Sequence, residues 1–327
     1  MARALVAPDS FKGTFDAPTV ADALARGLEQ SGWQADRCPV ADGGEGTMAL
    51  LAEALHGRLV RVTATDPLGR PVDCEIAIVD DVAIVETAQA SGLALLADHE
   101  RDAWAASTRG TGELILAAVA AGASEILVAV GGSATTDGGR GAIEAIRAGG
   151  GLGAARLAVL CDVACVYEDA ARVFGPQKGA DAAMVTRLEQ RLELLAQELP
   201  KDPRGVPATG AAGGLSGGLW AAFDAELRPG ASAVLDALRV DERMRAAQLV
   251  VAGEGRIDDQ SFGGKIVGEL VRRARAAGVP IHAVVGTSTL PEEDWARRGL
   301  ERVWTASTLE QIEAAGRALG AAVERAS

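Results

Sequence analysis

One stretch near the middle of the chain constrains the fold more than any other. Residues 126–130 are apolar and predict a buried strand, and residues 131–139 (Gly-Gly-Ser-Ala-Thr-Thr-Asp-Gly-Gly) predict a tight loop before a helix over 140–148. Glycines let backbone N–H groups approach a ligand, and N–H groups at a helix N-terminus favour an anion such as a phosphate. The stretch also fits a plain glycine-rich turn closed by Asp137, so its role must be judged together with the other polar loops of the chain.

The order of strand, polar loop and helix also occurs at the start of the chain. Residues 3–7 predict a strand, Asp9, Ser10 and Lys12 lie in the loop that follows, and residues 18–30 predict a helix. In α/β domains, ligands bind at the carboxyl ends of strands, where this loop would lie. A helix-capping loop with a solvated lysine is the alternative.

A second unit of this kind follows directly. The strand predicted at 37–40 and the helix predicted at 48–55 are joined by Ala-Asp-Gly-Gly-Glu-Gly-Thr, which contains Asp42 and Glu45. These carboxylates could act as a general base, a metal ligand or an acceptor for a substrate hydroxyl. Alternatively, Glu45 belongs to a helix-capping box.

The last third of the chain returns to the same pattern. A strand predicted at 248–252 runs into Gly-Glu-Gly-Arg-Ile-Asp, which presents Arg256 and Asp258. A helix at 264–277 and a strand at 280–285 follow. The two ends of the chain therefore have the same α/β character.

The segment between them differs, because it contains closely spaced strand-like runs at 59–65, 72–79 and 82–86. Strands separated by short turn signals predict an antiparallel meander. We therefore predict an α/β protein with a discontinuous Rossmann-like domain, residues 1–58 and 240–327. Residues 59–239 form an inserted mixed α/β domain with antiparallel strands and glycine-rich loops, and the site is expected in the cleft where strand ends converge.

Charge and composition exclude several classes of function. The formal net charge of −13 disfavours nucleic-acid and anionic-membrane partners, which need clustered Lys and Arg. Aromatic residues make up 3% of the chain, so close packing of small residues must fill the core. The four cysteines show no CxxC spacing, which favours free thiols. The absence of a signal-like segment or membrane-length apolar run favours a cytoplasmic location.

Two further segments present polar groups suited to anions. Thr108 and Arg109 lie among hydroxyls and glycines before an apolar helix predicted at 113–121, although Thr111 could simply cap that helix. Lys178 is presented by a turn. For the glycine-dense residues 210–218, close backbone packing is favoured over ligand contact.

Other catalytic patterns are missing from the sequence. The three histidines fall outside the polar loops, so no nucleophilic triad is indicated. Gly264-Lys265 is followed by Ile266, which breaks the P-loop pattern, and a glycine-rich run at 149–154 follows no strand, which disfavours a dinucleotide-binding dehydrogenase. Polar loops with cations and carboxylates suit phosphoryl transfer, where positioning and charge neutralisation dominate.

Five of these segments together resemble the signatures of the bacterial glycerate kinase family. They occur in the family's order and cover nearly the whole chain, at residues 7–13, 39–47, 131–139, 173–180 and 253–258. The resemblance implies ATP-dependent phosphorylation of glycerate, with Mg²⁺, by a two-domain α/β protein unrelated to P-loop kinases. Two departures are a short segment at 140–160 and Ala164-Cys165 where the family usually has Asn-Pro.

Under this resemblance, Asp42 orients or deprotonates the glycerate hydroxyl, Asp137 binds Mg·ATP, and Asp258 could serve either role. Lys12 neutralises the glycerate carboxylate or the transferred phosphoryl group. The predicted substrate-binding residues are Asp9, Ser10, Lys12, Gly43, Gly44, Glu45, Thr108, Arg109 and Arg256. The predicted ATP-binding residues are Gly131, Gly132, Ser133, Ala134, Thr135, Thr136 and Lys178. A kinase for a related small sugar acid and a non-catalytic sugar-acid sensor stay open as alternatives, and either a monomer or a homodimer is expected.

Overall fold

The structure is a computed structural model that describes residues 2–11 and 13–324, so Lys12 lies outside the described residues. Its strands are β1 (Arg3–Pro8), β2 (Gln34–Arg37), β3 (Arg58–Thr65), β4 (Pro71–Val79), β5 (Val82–Glu86), β6 (Glu125–Ala129), β7 (Arg156–Cys161), β8 (Glu226–Pro229), β9 (Leu249–Ile257), β10 (Ile281–Ser288) and β11 (Arg302–Thr305).

The helices occur both between strands and in longer connections. They are α1 (Ala17–Gln30), α2 (Thr47–Ala54), α3 (Thr87–Ser91), α4 (Arg109–Ala120), α5 (Arg140–Ala148), α6 (Ala170–Phe174), α7 (Ala182–Glu198), α8 (Ala211–Phe223), α9 (Gly230–Ala237), α10 (Val240–Arg245), α11 (Ile266–Ala277), α12 (Glu292–Arg298) and α13 (Leu309–Glu324). No helix within the described ranges has both the length and the apolar character needed to cross a bilayer.

The chain divides into two compact units, residues 1–42 with 231–327 and residues 43–230. The boundaries predicted from the sequence, at 58/59 and 239/240, lie further along the chain. Local contacts explain the earlier first boundary. The Met48 N–H, at the start of α2, donates a 2.7 Å hydrogen bond to the Glu86 carboxylate at the end of β5. This bond ties α2 to the sheet of the second unit.

The first unit is built on a parallel sheet. Within the described residues its order is β11-β10-β9-β1-β2, and every neighbouring pair is parallel. The central strands β1, β9 and β10 are runs of buried Ala, Val and Leu, as expected for a parallel sheet covered on both faces. Strand β1 ends where Pro8 pairs with Gly253, the middle residue of β9. The predicted α/β class is confirmed.

Small residues allow close helix packing in this unit, in agreement with the shortage of aromatic residues. A Cβ at Gly316 of α13 would lie 2.5 Å from the carbonyl oxygen of Leu24 in α1, so the two backbones approach closely. Asp16 caps the start of α1, because its carboxylate accepts a 2.9 Å hydrogen bond from the Thr19 N–H.

The second unit contains a mixed sheet, which its described residues form in the order β3-β4-β5-β6-β7-β8. Strands β3, β4 and β5 pair antiparallel, as the sequence predicted, and β5 to β8 pair parallel. The carboxyl ends of β5 and β6 therefore lie side by side, with Glu86 paired to Ala129.

Three predicted element bounds were wrong. Strand β2 lies at Gln34–Arg37 rather than at 37–40, although the Cys38 N–H still bonds the Val6 carbonyl and continues the path beside β1. Strand β9 extends to Ile257 through the segment predicted as a loop. Helix α4 begins at Arg109, so the predicted loop around this arginine is the first helical turn.

Candidate active site

A cavity of about 410 Å³ lies in the first unit, where the carboxyl ends of its central parallel strands meet. Residues of β9 and β10 line it, together with residues of the segments that follow β1, β2, β9 and β11. The lining residues are Asp9, Ser10, Phe11, Thr14, Asp42, Glu254, Gly255, Arg256, Asp258, Ser261, Lys265, Ile266, Gly286, Thr287 and Ser307. The fold thus brings together five predicted site residues: Asp9, Ser10, Asp42, Arg256 and Asp258.

Glu254 lines this cavity from β9, where it pairs with Val285 of the neighbouring strand. Just before it, Gly253 sits where a Cβ would lie 2.9 Å from the Pro8 Cβ and 3.0 Å from the Val284 carbonyl oxygen. Any larger residue would force β1 and β10 away from β9. Glycine at this position therefore holds the three strands at the spacing that puts Glu254 at the cavity wall.

The Glu254 carboxyl is in an unusual environment. Burial raises its pKa to about 7, with smaller raising contributions from Asp9 and Asp258 and lowering ones from Ser261 and Lys265. Its Oε1 is buried and has no hydrogen-bond partner among the described residues. No role was predicted for Glu254 from the sequence, although it stands in the same short motif as Arg256 and Asp258. Its burial could not be read from the residues.

Asp258 and Ser261 form a short capped turn beside Glu254. The Asp258 carboxylate accepts a 2.9 Å hydrogen bond from the Gln260 N–H, and the Asp258 N–H donates to the Ser261 Oγ at 3.1 Å. Since that oxygen already accepts a bond, the Ser261 hydroxyl proton is free to donate to Glu254. Arg256 is mostly exposed, with its Nε 3.6 Å from an Asp258 carboxylate oxygen.

Asp9 and Asp42 complete the acidic wall of the cavity. The Asp9 carboxylate accepts a 2.6 Å hydrogen bond from the N–H of Ser10. Asp42 is buried, with 5% of its surface exposed. Two basic groups, Arg256 and Lys265, line the same cavity, so a small anion entering it would meet both signs of charge.

The second unit presents the glycine-rich loop that follows β6. Gly131 packs against the loop at 43–46, because a Cβ on Gly131 would lie 2.6 Å from the Gly44 Cα and 3.0 Å from the Glu45 nitrogen. Gly132 has φ +69°, in the left-handed region that favours glycine. The predicted residues Gly43, Gly44 and Glu45 are thus held beside the predicted phosphate loop.

Buried hydroxyl groups accumulate around this loop. Their side-chain oxygens are inaccessible and have no hydrogen-bond partner within the described part of the chain; they belong to Thr47, Thr87, Thr135 and Thr136. Buried polar groups are nearly always paired, so several unpaired hydroxyls at the ends of β5 and β6 indicate a place for a polar ligand or water.

Lys178 lies beneath the loop and is 1% exposed. Its ammonium group donates to the Ser133 Oγ at 3.0 Å and to the Thr135 carbonyl oxygen at 2.6 Å. Burial lowers the pKa of Lys178 to about 7, and the nearby Asp137 charge opposes this shift. The prediction that Lys178 binds ATP stays a prediction, and its contacts favour a supporting role under the loop.

Asp137 is buried at the end of the loop and fully engaged. One carboxylate oxygen accepts from the Thr108 N–H and hydroxyl, both at 2.9 Å, and from the Gly141 N–H at 3.1 Å. The other accepts from the Gly139 N–H at 3.2 Å. The Mg²⁺ role predicted for Asp137 stays a prediction, and these bonds favour an anchor that joins the loop to α4 and α5.

Thr108 and Arg109 occupy contrasting positions. Thr108 is fully buried by its contacts with Asp137 and with the Ala142 N–H. The Arg109 side chain is exposed and pairs with Glu113 one turn along α4, at 3.0 Å. In the described residues, no group of three or more His, Cys, Asp or Glu side chains is arranged to hold a metal ion.

Comparison with known proteins extends over both units. A model of the glycerate kinase family matches residues 4–150 and 147–326. Glycerate 2-kinase of Escherichia coli (strain K12) is 36% identical over 324 residues, which are 87% of this chain and 85% of that protein. Glycerate kinase of Bacillus subtilis (strain 168) is 36% identical over 340 residues, 92% of this chain and 89% of the relative. The crystal structure of putative glycerate kinase 2 from Salmonella typhimurium LT2 matches with a TM-score of 0.84 and 32% identity, covering 99% of each chain.

Proposed function

Because this chain belongs to the glycerate kinase family, we propose that it is an ATP-dependent kinase that phosphorylates glycerate, giving phosphoglycerate and ADP. The observation that carries the proposal is the cavity at the carboxyl end of the parallel sheet, which combines Arg256 and Lys265 with several carboxylates. This composition suits a small hydroxy acid, since cations neutralise its carboxylate and carboxylates accept hydrogen bonds from its hydroxyls.

We assign the groups of this cavity to glycerate. Arg256 neutralises the carboxylate of the substrate, and Lys12 is proposed for the same anion or for the transferred phosphoryl group. Asp42 accepts a hydrogen bond from a hydroxyl of glycerate and so orients the substrate. Asp9 and Ser10 shape the wall at the end of β1. Positioning of this kind supplies much of the rate enhancement in phosphoryl transfer.

We assign the loop after β6 to the phosphates of ATP. Backbone N–H groups at Gly131 and Gly132 and the unpaired Thr135 and Thr136 hydroxyls are suitable donors to phosphate oxygens. The buried Lys178 amine supports the loop from below and adds positive charge when a phosphate favours its protonated form.

Mg²⁺ is proposed to enter with ATP. Mg²⁺ in kinases is commonly held by substrate phosphates, waters and one or two carboxylates, and there it neutralises phosphate charge. The described residues offer no cluster of three or more metal-ligating side chains, and hydrogen bonds occupy both Asp137 oxygens. We therefore expect phosphate oxygens of ATP and water molecules to supply most of the Mg²⁺ coordination.

We further propose that the 2-hydroxyl of glycerate is the acceptor, supported by the 36% identical relative named glycerate 2-kinase. Phosphorus NMR of the product separates the two outcomes. A phosphorus nucleus bonded to the 2-oxygen couples to one proton, and one bonded to the 3-oxygen couples to two. A product with the second pattern would refute this assignment.

The primary experiment mixes purified protein with glycerate and Mg·ATP and measures ADP formation. We expect stoichiometric ADP and phosphoglycerate, and Asp42→Asn should lower kcat by about 10²-fold while ATP binding in calorimetry stays intact. Glycerate binding without ADP would instead identify a sensor. ADP formation with another small sugar acid but not with glycerate would identify a kinase of that acid.

A further inference from the structure

We propose that Glu254 is the general base of the reaction, taking the proton of the attacking glycerate hydroxyl. The inference rests on the proposed function and adds a residue to its chemistry. Glu254 lines the cavity from the middle of the sheet, between β1 and β10. Pairing of Glu254 with Val285 of β10, and of the preceding Gly253 with Pro8 of β1, holds its backbone more rigidly than a loop would.

The surroundings of Glu254 leave its carboxyl able to take a proton. The Asp258 N–H holds the Ser261 Oγ at 3.1 Å, and Ser261 in turn lowers the pKa of the Glu254 carboxyl. The Glu254 Oε1 is buried and has no hydrogen-bond partner among the described residues. Hydrogen bonds within the protein therefore do not saturate this carboxyl, which keeps the capacity to accept a substrate proton.

Neighbouring carboxylates have other contacts. An Asp9 oxygen accepts from the Ser10 N–H, and an Asp258 oxygen accepts from the Gln260 N–H and thereby caps a turn. Asp42 is assigned to the other hydroxyl of glycerate, so it does not compete for the attacking proton. Glu254 therefore combines a place in the cavity wall with a buried, unpartnered oxygen.

The charges that face Glu254 tune it for proton transfer near neutral pH. Burial, Asp9 and Asp258 raise its pKa, Lys265 and Ser261 lower it, and the balance is about 7. Asp42 and Arg256 are the other charged groups lining the cavity. A base with a pKa near the working pH combines a useful ionised fraction with enough driving force.

The proposed step balances without another reactant. The hydroxyl proton passes to the Glu254 carboxylate as the glycerate oxygen forms a bond to the γ-phosphorus of ATP. The bond between that phosphorus and the β–γ bridging oxygen breaks, and ADP leaves with the electron pair. Glu254 then returns the proton to solvent.

The test compares the pH dependence of kcat for wild type and Glu254→Gln, once wild type has been shown to phosphorylate glycerate. Wild type should lose activity below an apparent pKa of about 7, since Glu254 becomes protonated. Glu254→Gln should lower kcat by about 10²–10⁴-fold and abolish this acidic limb. Glu310→Gln, an exposed Glu in α13, is the matched control and should keep the wild-type profile.

Two further variants separate a base from a structural residue. Ser261→Ala and Lys265→Met each remove a group that lowers the Glu254 pKa, so the acidic limb should move to higher pH in both. Infrared titration of the unliganded protein should show a carboxyl band that titrates near pH 7 and is absent in Glu254→Gln. The inference is overturned if Glu254→Gln keeps the limb and kcat within about threefold, well short of the loss expected on removing a base, or if neither variant moves the limb. A wild type that releases no ADP would instead refute the proposed function.

Discussion

At the scale of single residues, the buried lysine under the glycine-rich loop is the most unusual group of the second unit. Lys178 is 1% exposed, yet its ammonium bonds neutral oxygens of Ser133 and Thr135 rather than a carboxylate. Burying a charge without an adjacent counter-charge is costly, which is why the folded protein favours the neutral amine as the pH rises.

Lys178 should therefore make stability depend on pH. Its pKa is about 7 in the folded chain and near 10.5 when unfolded, so between these values the unfolded state binds more protons and stability rises with pH. We compare the free energy of unfolding of wild type with that of Lys178→Met between pH 7.5 and 9.5. The wild-type value minus the variant value should increase by about 1 kcal/mol per pH unit. Urea unfolding measures the difference. Lys201→Met, at a half-exposed lysine, is the control and should show no such gain.

Asp137 offers a second prediction at this scale. Asn keeps the shape but removes the charge that accepts four hydrogen bonds, so Asp137→Asn should lower the free energy of unfolding by about 2–4 kcal/mol. The Mg²⁺ concentration for half-maximal activity should stay within about twofold of wild type if Asp137 anchors the loop, because a lost carboxylate ligand would change it more. A higher Mg²⁺ requirement at unchanged stability would support the sequence-based role of metal ligand instead.

At the scale of elements, apolar periodicity predicted most strands and helices because the buried faces of these elements are continuous. Strand β2 was misplaced because three of its four residues, Gln34, Asp36 and Arg37, are polar or charged, whereas the following Cys-Pro-Val looks more strand-like. Strand β9 was predicted too short because Gly253 and Gly255 mimic a turn. At Gly253 the close approach of β1 and β10 instead leaves no room for a side chain. Such long-range packing leaves no local signal.

The candidate site, like the strands and helices, was predictable from the sequence only in part. Sequence motifs located Asp9, Asp42 and Asp258 at strand ends, and the sheet brings them to one cavity. The role of Glu254 depends on burial and on the orientation of Ser261, which only the folded chain defines.

Two glycines with similar φ angles, Gly132 and Gly213, allow a matched test of the loop. Gly132 (φ +69°) has only ordinary contacts for a Cβ, at 3.4 Å from Ala88 and Glu45, whereas a Cβ on Gly213 (φ +65°) would collide with the Thr135 carbonyl oxygen. Gly132→Ala should cost about 1 kcal/mol of stability from backbone strain and should weaken ATP binding. Gly213→Ala should cost several times more stability. If Gly132→Ala and Gly213→Ala lose equal stability in thermal unfolding, the close contact of Gly213 with Thr135 is contradicted.

At the scale of the whole molecule, the net charge of −13 opposes the approach of anionic substrates. Screening should relieve this repulsion, because the Debye length falls from about 30 Å at 0.01 M to about 8 Å at 0.15 M ionic strength. We therefore expect kcat/KM for glycerate to rise as inert salt increases over this range, with kcat at saturation nearly constant. A steady fall of kcat/KM with salt would mean that local cations dominate the field.

The first unit is built from two separate stretches of the chain, and this determines the order in which its strands can pair during synthesis. Strand β1 lies between β2 and β9, and residues 43–230 separate these two partners along the chain. At a synthesis rate of about 5–20 residues per second, the first strands wait for roughly ten to forty seconds before β9 leaves the ribosome. The inserted unit can complete its own sheet during that delay. Translation speed through residues 43–230 therefore sets how long the apolar edge of β1 remains exposed to aggregation and to chaperones.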